Sequence, residues 1–392
     1  MGSNDAIHGA AGTARVSDRP GAVHRVHPSG QYSTPAGRPG KPPGKGDAVA
    51  SFPLTKPAPA AATARPAVLD LLADGNWHSG VSLGATLGLS RAAIWKQVRG
   101  LRTLGLTVNA ERGRGYRLDQ SLNLLSAAKI LSGLEPATRQ ALDSLDVLRV
   151  TASTNQCLTV RPAPPAGRLW AVVAEYQTGG RGRRGRRWLS PLGHGVCLSV
   201  SWAFEVAPRD LPSLSLAAGV AVSLALADRG VDGVQLKWPN DVMAGGGKVG
   251  GILVEVAGEP GGPLRAVIGI GLNVRPVPGI AATLRDEGGN STAVGLDELH
   301  SEGCLERNAL VAALLNALHS SLRNFTHGGG DPFLETWRRS DYLAGRPVVV
   351  TSGKDVLRGI ARGIADDGSL LVETADRIVP VVAGDVTLRM PA

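Results

Sequence analysis

The apolar residues of this chain change their spacing three times, which limits how much of the chain can share one fold. Residues 1–65 show no apolar periodicity, whereas residues 66–120 carry apolar stripes at helical spacing. Strand-like and helical runs then alternate to residue 340, and only short strand-like runs follow. We therefore predict an α+β multidomain protein, which a length of 392 residues supports. The predicted segments are a tail at 1–65 and three domains at 66–125, 126–340 and 341–392.

The tail, residues 1–65, is predicted to be disordered. It holds nine of the 26 prolines together with many glycine, alanine and serine residues, a composition that buries too little apolar surface to fold. Charged residues such as Asp5, Arg15 and Asp18 interrupt any apolar core of a secretory signal. The sequence leaves open whether the tail is a flexible arm or partly the product of a wrongly assigned start.

The formal net charge of +9 suggests a nucleic-acid partner, but the position of the charge narrows that inference. The tail carries +5, residues 66–120 carry +3, and the rest of the chain carries only +1.

The three cysteines, Cys157, Cys197 and Cys304, are widely spaced, which fits a reducing compartment. The longest apolar run, Leu214 to Ala227, is too short to span a membrane and is typical of a buried helix, so we expect a cytoplasmic protein.

Residues 66–120 have the plan of a winged helix-turn-helix domain. Three helical stripes follow one another, and Ser79 and Ser90 stand where they can cap the second and third helices. Two short strands, Leu106 to Ala110 and Tyr116 to Leu118, then form a hairpin that would be the wing. The same plan also serves domains that bind other proteins, with the basic residues merely solvated.

The third helix of this domain has an apolar face and a basic face. Ile94, Val98 and Leu101 share the apolar face, which leaves basic side chains on the other face, where a recognition helix meets the major groove. Arginines of the wing, including Arg117, could reach phosphates. Trp95 could contact bases or sugars, or fold back over the core. The residues predicted to contact DNA are Ser90, Arg91, Ala92, Trp95, Lys96, Arg99, Arg112 and Arg114.

Residues 121–340 predict a mixed β-sheet with helices on its faces. The expected helices are Leu214 to Asp228 and Arg307 to Phe325. After Arg346, five short strands broken by turns predict a small β-barrel of the SH3 type. The expected strands of the sheet are 147–150, 169–175, 195–202, 235–238, 251–256 and 266–270, and those of the barrel are 347–351, 356–364, 370–374, 377–382 and 386–388.

Residues 179–188, Gly-Gly-Arg-Gly-Arg-Arg-Gly-Arg-Arg-Trp, directly follow a predicted strand. Glycine lets the backbone approach a ligand, and arginine supplies paired donors for phosphate or carboxylate. Five arginines this close repel one another unless an anion balances them, so the sequence predicts a loop that is disordered without ligand and closes over a nucleotide or phosphoanhydride. A basic patch for nucleic acid or a targeting run would have the same composition.

A second motif, Lys237-Trp238-Pro239-Asn240-Asp241, precedes Lys248, which lies among glycines. Proline ends the strand and turns Asn240 and Asp241 out at its end, where ligands gather in sheet proteins. Asp241 could hold a lysine or a magnesium ion. Asn-Asp after proline is also a common turn, and the lysine could be solvated.

Neutral polar side chains follow other strands. Ser153, Thr154, Asn155 and Gln177 suit an uncharged polar ligand group such as a urea, although a serine or threonine at 153 or 154 could simply cap a helix. Asn273 ends a glycine-containing strand that could line a pocket. The eight histidines lack ligand spacing, so we expect no catalytic metal held by histidine and assign no metal ligands.

Taken in chain order, these motifs closely resemble the biotin–protein ligases. Residues 78–80, 90–94 and 113–116 resemble the DNA-binding domain of the bifunctional members, which also repress biotin synthesis genes. The resemblance covers about residues 66–392; Trp95 and the three glycines before Lys248 depart from it. The motifs that carry the resemblance in the catalytic part are 153–155, 175–186, 237–241, 248–253 and 271–273.

The resemblance implies a class II synthetase-like catalytic domain that forms biotinyl-5′-AMP from biotin and ATP and then biotinylates a lysine of biotin carboxyl carrier protein. It assigns catalysis to Arg183, Lys248 and Asp241. It assigns biotin binding to Ser153, Thr154, Asn155, Gln177, Arg181, Gly182, Arg183 and Lys248, and adenylate binding to Arg186, Trp188, Asn240 and Asn273.

The resemblance also implies Mg²⁺ as a cofactor, operator DNA as a partner, and a homodimer without membrane attachment. Two other functions fit parts of the sequence. A lipoate- or octanoate-transferring enzyme of the same fold would leave Gln177 and the Ser-Thr pair without a urea to bind. A transcription factor that only senses a ligand would not need the set of Arg183, Lys248 and Asp241.

Overall fold

The computed structural model describes most of the chain beyond residue 67. Residues 1–65, predicted to be disordered, and Cys304 lie outside the described residues. The described residues are 68–208, 210–258, 262–275, 293–300, 303, 305–352 and 354–388.

Three helices and a two-stranded antiparallel hairpin form the winged domain, as predicted. Ser79 accepts a hydrogen bond from the Ser82 N–H, and Ser90 accepts one from the Ala93 N–H, so both serines cap their helices. Gly88 then ends the second helix in the left-handed conformation, which glycine adopts without strain. The elements are α1 (Val68–Leu72), α2 (Gly80–Leu87), α3 (Arg91–Thr103), β1 (Val108–Glu111) and β2 (Gly115–Leu118).

The central domain is built on a seven-stranded mixed sheet in the order β3-β4-β5-β9-β8-β7-β6. The first pair, β3 and β4, is parallel, and every other pair is antiparallel. The strands are β3 (Leu142–Thr151), β4 (Leu169–Gln177), β5 (Gly195–Phe204), β6 (Gln235–Lys237), β7 (Asp241–Ala244), β8 (Gly247–Gly258) and β9 (Leu264–Asn273).

In the part of the central domain that the structure describes, six α-helices accompany this sheet, and only two of them were predicted. Those two, α7 and α8, pack against each other and contribute many of the buried apolar residues of the main core. The other four, and strand β7, contain four to nine residues each, too few for a period to stand out in the sequence. The helices are α4 (Ala127–Ser132), α5 (Pro136–Ala141), α6 (Thr154–Thr159), α7 (Leu214–Asp228), α8 (Arg307–Gly328) and α9 (Asp331–Arg339).

Helix α7 is the buried helix that the apolar run predicts, although the apolar segment is longer than expected. The 18-residue segment Leu211–Asp228 is long and apolar enough, by length and composition, to cross a membrane. Its side chains are largely buried against the sheet and α8, which is how a core helix of a folded domain packs.

The C-terminal domain is a five-stranded antiparallel sheet in the order β13-β12-β11-β10-β14. All five strands were predicted from short runs between turns. Buried Val348, Val350, Ala361 and Val372 join the core of the central domain, so this sheet packs directly on the catalytic part. The strands are β10 (Pro347–Ser352), β11 (Asp355–Ile364), β12 (Leu370–Glu373), β13 (Ile378–Val381) and β14 (Asp385–Leu388).

A buried charge network joins the winged domain to the central sheet. Glu175 of β4 is almost fully buried and accepts hydrogen bonds from Arg307 (2.7 Å) and from the backbone N–H of Leu125 (2.5 Å). Arg149 of β3 donates to Asp70 of α1 and to the carbonyl of Leu125. Side chains of the central domain therefore hold the linker at Leu125, and Asp70 of the winged domain bonds the same arginine, Arg149.

Candidate active site

One cleft in the central domain collects every residue that the sequence singled out for catalysis, biotin and adenylate. Segments far apart in the chain line it: the start of α6, the arginine-rich loop after β4, the turn between β6 and β7, and the glycine-containing strands β8 and β9. The predicted residues in its lining are Ser153, Thr154, Asn155, Gln177, Arg181, Gly182, Arg183, Arg186, Trp188, Asn240, Asp241, Lys248 and Asn273.

The inner part of the cleft is neutral and polar. Ser153 caps α6, which turns Thr154 toward Gln177 of the parallel strand β4. The backbone N–H and the hydroxyl of Thr154 donate to Oε1 of Gln177 at 2.8 and 3.2 Å. Ser199 of β5, which sequence reasoning missed, lies 2.7 Å from the Thr154 hydroxyl. Capping and a place in the cleft are therefore compatible roles for Ser153.

Asn155 is fixed from three sides. Its amide nitrogen donates to Glu255 (2.7 Å) and to the carbonyl of Leu253 (3.3 Å), and its oxygen lies 2.6 Å from the Ser199 hydroxyl. A Cβ at Gly269 would stand 2.2 Å from the same oxygen, so only glycine fits there. These partners lie 44 to 114 residues from Asn155, beyond the reach of any local sequence pattern.

Two lysines share one carboxylate in the middle of the cleft. Asp241 accepts a hydrogen bond from Lys248 (2.5 Å) and lies 4.0 Å from the ammonium of Lys237. Lys237 is buried, and that burial lowers the pKa of its ammonium. Of the two roles that the sequence left open for Asp241, the geometry places it on a lysine. Lys237 is a further cation that the sequence analysis did not assign.

The Trp188 ring lies against the sheet where two glycines face each other across strands. Gly251 of β8 and Gly271 of β9 are paired, and a Cβ at Gly271 would stand 2.4 Å from the ring. The ammonium of Lys248 lies 5.9 Å from the ring centre, within range of a cation–π contact. Among the described residues, nothing accepts a hydrogen bond from the buried Trp188 Nε1.

The arginine-rich loop, residues 179–188, folds as a narrow hairpin. The N–H of Gly182 donates to the carbonyl of Arg186 (2.7 Å), and the N–H of Trp188 donates to Gly180 (2.9 Å). Asp385 of the C-terminal domain bonds two of the arginines, so this structure supplies the balancing anion from within the chain. The predicted disorder of this loop without a ligand is therefore wrong, because Asp385 balances two of its charges and the loop folds without a nucleotide or phosphoanhydride.

Arg183 points into the cleft. Its Nη1 lies 3.4 Å from both the Asn240 Oδ1 and the carbonyl of Gly384. Burial lowers the pKa of its guanidinium, an effect that the nearby charge of Asp385 partly offsets. A half-buried arginine with long contacts is a site where a stronger anion can bind.

All eight predicted DNA-contacting residues lie on the exposed surface of α3, its cap or the wing. Trp95 is 51% exposed, with the Arg99 guanidinium 4.8 Å from its ring centre, so it does not cover the core. Arg114 stacks on Trp77 and bonds Glu111. Arg117 also stacks on Trp77 and is partly buried, so packing, rather than reach toward a phosphate, accounts for its position.

Among the described residues, no group of three His, Cys, Asp or Glu side chains lies close enough together to hold a metal ion. Cys197 is buried beside the cleft, and burial raises the pKa of its thiol to about 11. That thiol is therefore protonated at neutral pH and is a poor nucleophile.

This arrangement of a winged domain, a mixed sheet with an arginine loop over a neutral pocket, and a small C-terminal sheet defines a biotin–protein ligase with a DNA-binding domain. Residues 147–273 match the biotin/lipoate A/B protein ligase family, residues 344–389 the biotin protein ligase C-terminal domain, and residues 67–117 an HTH domain. The chain belongs to the family of bifunctional biotin ligase/repressors.

Known proteins of this family are similar over most of the chain. The bifunctional ligase/repressor BirA of Escherichia coli is 39% identical over 326 residues, which cover 82% of this chain and 96% of that protein. The biotin–[acetyl-CoA-carboxylase] ligase of Mycobacterium tuberculosis is 38% identical over 253 residues, covering 62% and 88%. The structure of the Aquifex aeolicus biotin protein ligase with biotin and ATP has a TM-score of 0.51 and 27% identity, covering 64% of this chain and 100% of that one.

Proposed function

We propose that the chain activates biotin with ATP and transfers it to a lysine of biotin carboxyl carrier protein. A biotin carboxylate oxygen attacks the α-phosphorus of ATP, the bond to the β-phosphate breaks, and pyrophosphate leaves. The carrier amine then attacks the acyl carbon of biotinyl-5′-AMP, the bond to AMP breaks, and the amine proton passes to solvent. Because neither step needs an enzyme nucleophile, positioning and charge neutralisation must lower the barriers.

The observation that carries the proposal is the division of the cleft into a neutral inner part and a cationic outer part. Ser153, Thr154, Asn155 and Gln177 offer uncharged donors and acceptors, which match the carbonyl and two N–H groups of biotin's ureido ring. A lipoyl or octanoyl chain carries no such ring, so for those substrates these polar groups would lose their water without gaining a partner.

Arg181, Gly182, Arg183 and Lys248 would bind the carboxylate and the α-phosphate. Their charges stand where negative charge gathers as the two anions approach each other. Asp241 would orient Lys248 by accepting a hydrogen bond from its ammonium.

Arg186, Trp188, Asn240 and Asn273 would bind the adenylate, with the Trp188 indole against the adenine. Asn240 and Asn273 are already held by backbone carbonyls, Asn240 by Ile252 (2.8 Å) and Asn273 by Lys248 (3.4 Å). Both side chains are therefore oriented before a nucleotide enters.

We expect Mg²⁺ to enter with the phosphates of ATP. Asp241 and Asp385, the described carboxylates in the cleft lining, already bond lysine and arginine. These two carboxylates are therefore poor ligands for a metal held by the protein alone. A magnesium ion, by contrast, commonly keeps several waters and binds through phosphates. The ion would neutralise charge on the departing pyrophosphate.

The test is label transfer from biotin to a purified carrier domain in the presence of ATP. Wild-type protein should label the carrier, whereas Arg183→Ala and Lys248→Ala should lose most of the activity. Arg358→Ala, an exposed arginine on β11 outside the cleft lining, is the matched control and should label at the wild-type rate. An inactive wild type would refute the ligase proposal, and fully active cleft variants would refute the residue roles.

We also propose that the winged domain represses biotin synthesis genes from the cytoplasm, as a homodimer on operator DNA when adenylate fills the cleft. Exposed basic residues on α3 and the wing support DNA contact, and two half-sites suit a dimer. Binding to DNA upstream of such genes should tighten with biotinyl-5′-AMP, and sedimentation should show a dimer. Equal binding to any DNA, lost with salt, would reduce the domain to a nonspecific binder.

A further inference from the structure

The C-terminal sheet reaches the catalytic cleft through one carboxylate. Asp385, the first residue of β14, accepts hydrogen bonds from Arg184 (Nη1 at 3.1 Å) and from Arg186. The carbonyl of Thr351, from the neighbouring strand β10, accepts a further bond from Arg184 at 3.3 Å. Two arginines of the loop are thus attached to a domain that begins more than 150 residues later in the chain.

The backbone of the loop is unusual at the residue that Asp385 holds. Arg184 has a φ of +55°, and it is the one non-glycine residue with a positive φ in the part of the chain that the structure describes. L-residues rarely adopt this conformation, and such residues persist only where their surroundings hold them. Here the bonds to Asp385 and Thr351 hold the side chain.

Arg183 directly precedes this held residue in the loop and lines the cleft. Asp385 holds Arg184, the residue directly after Arg183, and Arg186, so it fixes the backbone from which the Arg183 side chain reaches Asn240. The carbonyl of Gly384, next to Asp385, is the other group within 3.4 Å of its guanidinium. The same turn of the C-terminal sheet therefore contacts all three arginines.

We propose that Asp385 is a positioning residue for biotin activation, which holds the arginine-rich loop closed so that Arg183 meets the carboxylate and α-phosphate. The inference rests on the proposed ligase function. Asp385 acts through the arginines. Its carboxylate balances the repulsion between them before a nucleotide arrives, so the loop loses less conformational entropy when ATP binds.

The test compares Asp385→Asn, Asp385→Glu and wild type in biotin-dependent ATP–pyrophosphate exchange. Asp385→Asn should lower kcat/KM for ATP at least tenfold, because Arg183 is no longer held where it meets the carboxylate and the α-phosphate. Asp385→Glu, which keeps the negative charge, should retain most of the wild-type kcat/KM. Glu373→Gln is the matched control, because Glu373 of β12 also bonds an arginine, Arg362 at 2.7 Å, but lies outside the cleft lining; it should match wild type.

A double-mutant cycle separates positioning from a general loss of stability. If Asp385 acts through Arg184, the loss in Asp385→Asn/Arg184→Ala should be smaller than the product of the two single losses. Fully multiplicative losses, an Asn variant within twofold of wild type, a Glu variant no better than Asn, or an equal loss in Glu373→Gln would each overturn the proposal. An inactive wild type would instead refute the ligase function itself.

Discussion

Replacing Gly271 by alanine should disable the cleft through the Trp188 ring. An alanine Cβ would stand 2.4 Å from Trp188 Cε2, with two further ring atoms at 2.6 and 2.7 Å. Ordinary contacts begin near 3.4 Å, so the ring must withdraw by about 1 Å. A misplacement of about 1 Å in a binding group can cost about 10²-fold in rate, so we expect kcat/KM for ATP to fall about 10- to 100-fold.

Gly251→Ala is the matched control, because Gly251 is the cross-strand partner of Gly271 and faces the same ring. Its added Cβ would meet Trp188 at 3.6 Å and Lys248 at 3.5 Å, which are ordinary contacts. Neither glycine has a positive φ, so alanine brings no backbone strain at either position. The loss in Gly251→Ala should stay within about threefold, since no atom has to move.

The assay is biotin-dependent ATP–pyrophosphate exchange at varied ATP, with circular dichroism to confirm that both variants fold. Tryptophan fluorescence on ATP addition gives an independent view of the ring. A Gly271→Ala variant with wild-type kinetics would refute the assignment of Trp188 to the nucleotide. An equal loss in both variants would show that the sheet, rather than the ring, tolerates no side chain there.

Three further predictions concern charges. Lys248→Met should lower kcat/KM in the exchange assay about 10²–10³-fold, the typical cost of removing one charge-stabilising donor; a loss below tenfold would contradict its role. Glu175→Ala leaves the buried Arg307 charge unpaired and should reduce the free energy of unfolding in urea by about 3–5 kcal/mol, whereas a cost below about 1 kcal/mol would show that water reaches the pair. Burial raises the pKa of Asp341 to about 6 from an ordinary 3.8, because the buried carboxyl favours its protonated form. Asp341 therefore costs the folded state no free energy below pH 3.8, and its ionisation destabilises the fold as the pH rises through 6. Asp341→Asn should therefore stabilise the protein by up to about 3 kcal/mol at pH 8 and by almost nothing at pH 4, and a pH-independent difference in urea unfolding would contradict this.

Local patterns were sufficient for the winged domain and the C-terminal sheet. Serine caps at 79 and 90 and short runs between turns are signals that neighbouring residues create, and the structure follows them. Helices α4, α5 and α6 escaped prediction because a six-residue helix makes fewer than two turns. Packing on the sheet and α8 stabilises such helices more than their own sequence does.

The sequence by itself determined the composition of the cleft: its motifs name thirteen residues that the fold then gathers around one cavity. Only the tertiary structure decided what each of those side chains bonds. Ser199 and Glu255 fix Asn155, Lys237 shares Asp241 with Lys248, and the carboxylate that balances the arginine loop comes from Asp385, about 200 residues further along the chain. The physical reason is that hydrogen bonds and ion pairs depend on distance in space. A sequence pattern reports such distances only within a helix, a strand or a turn.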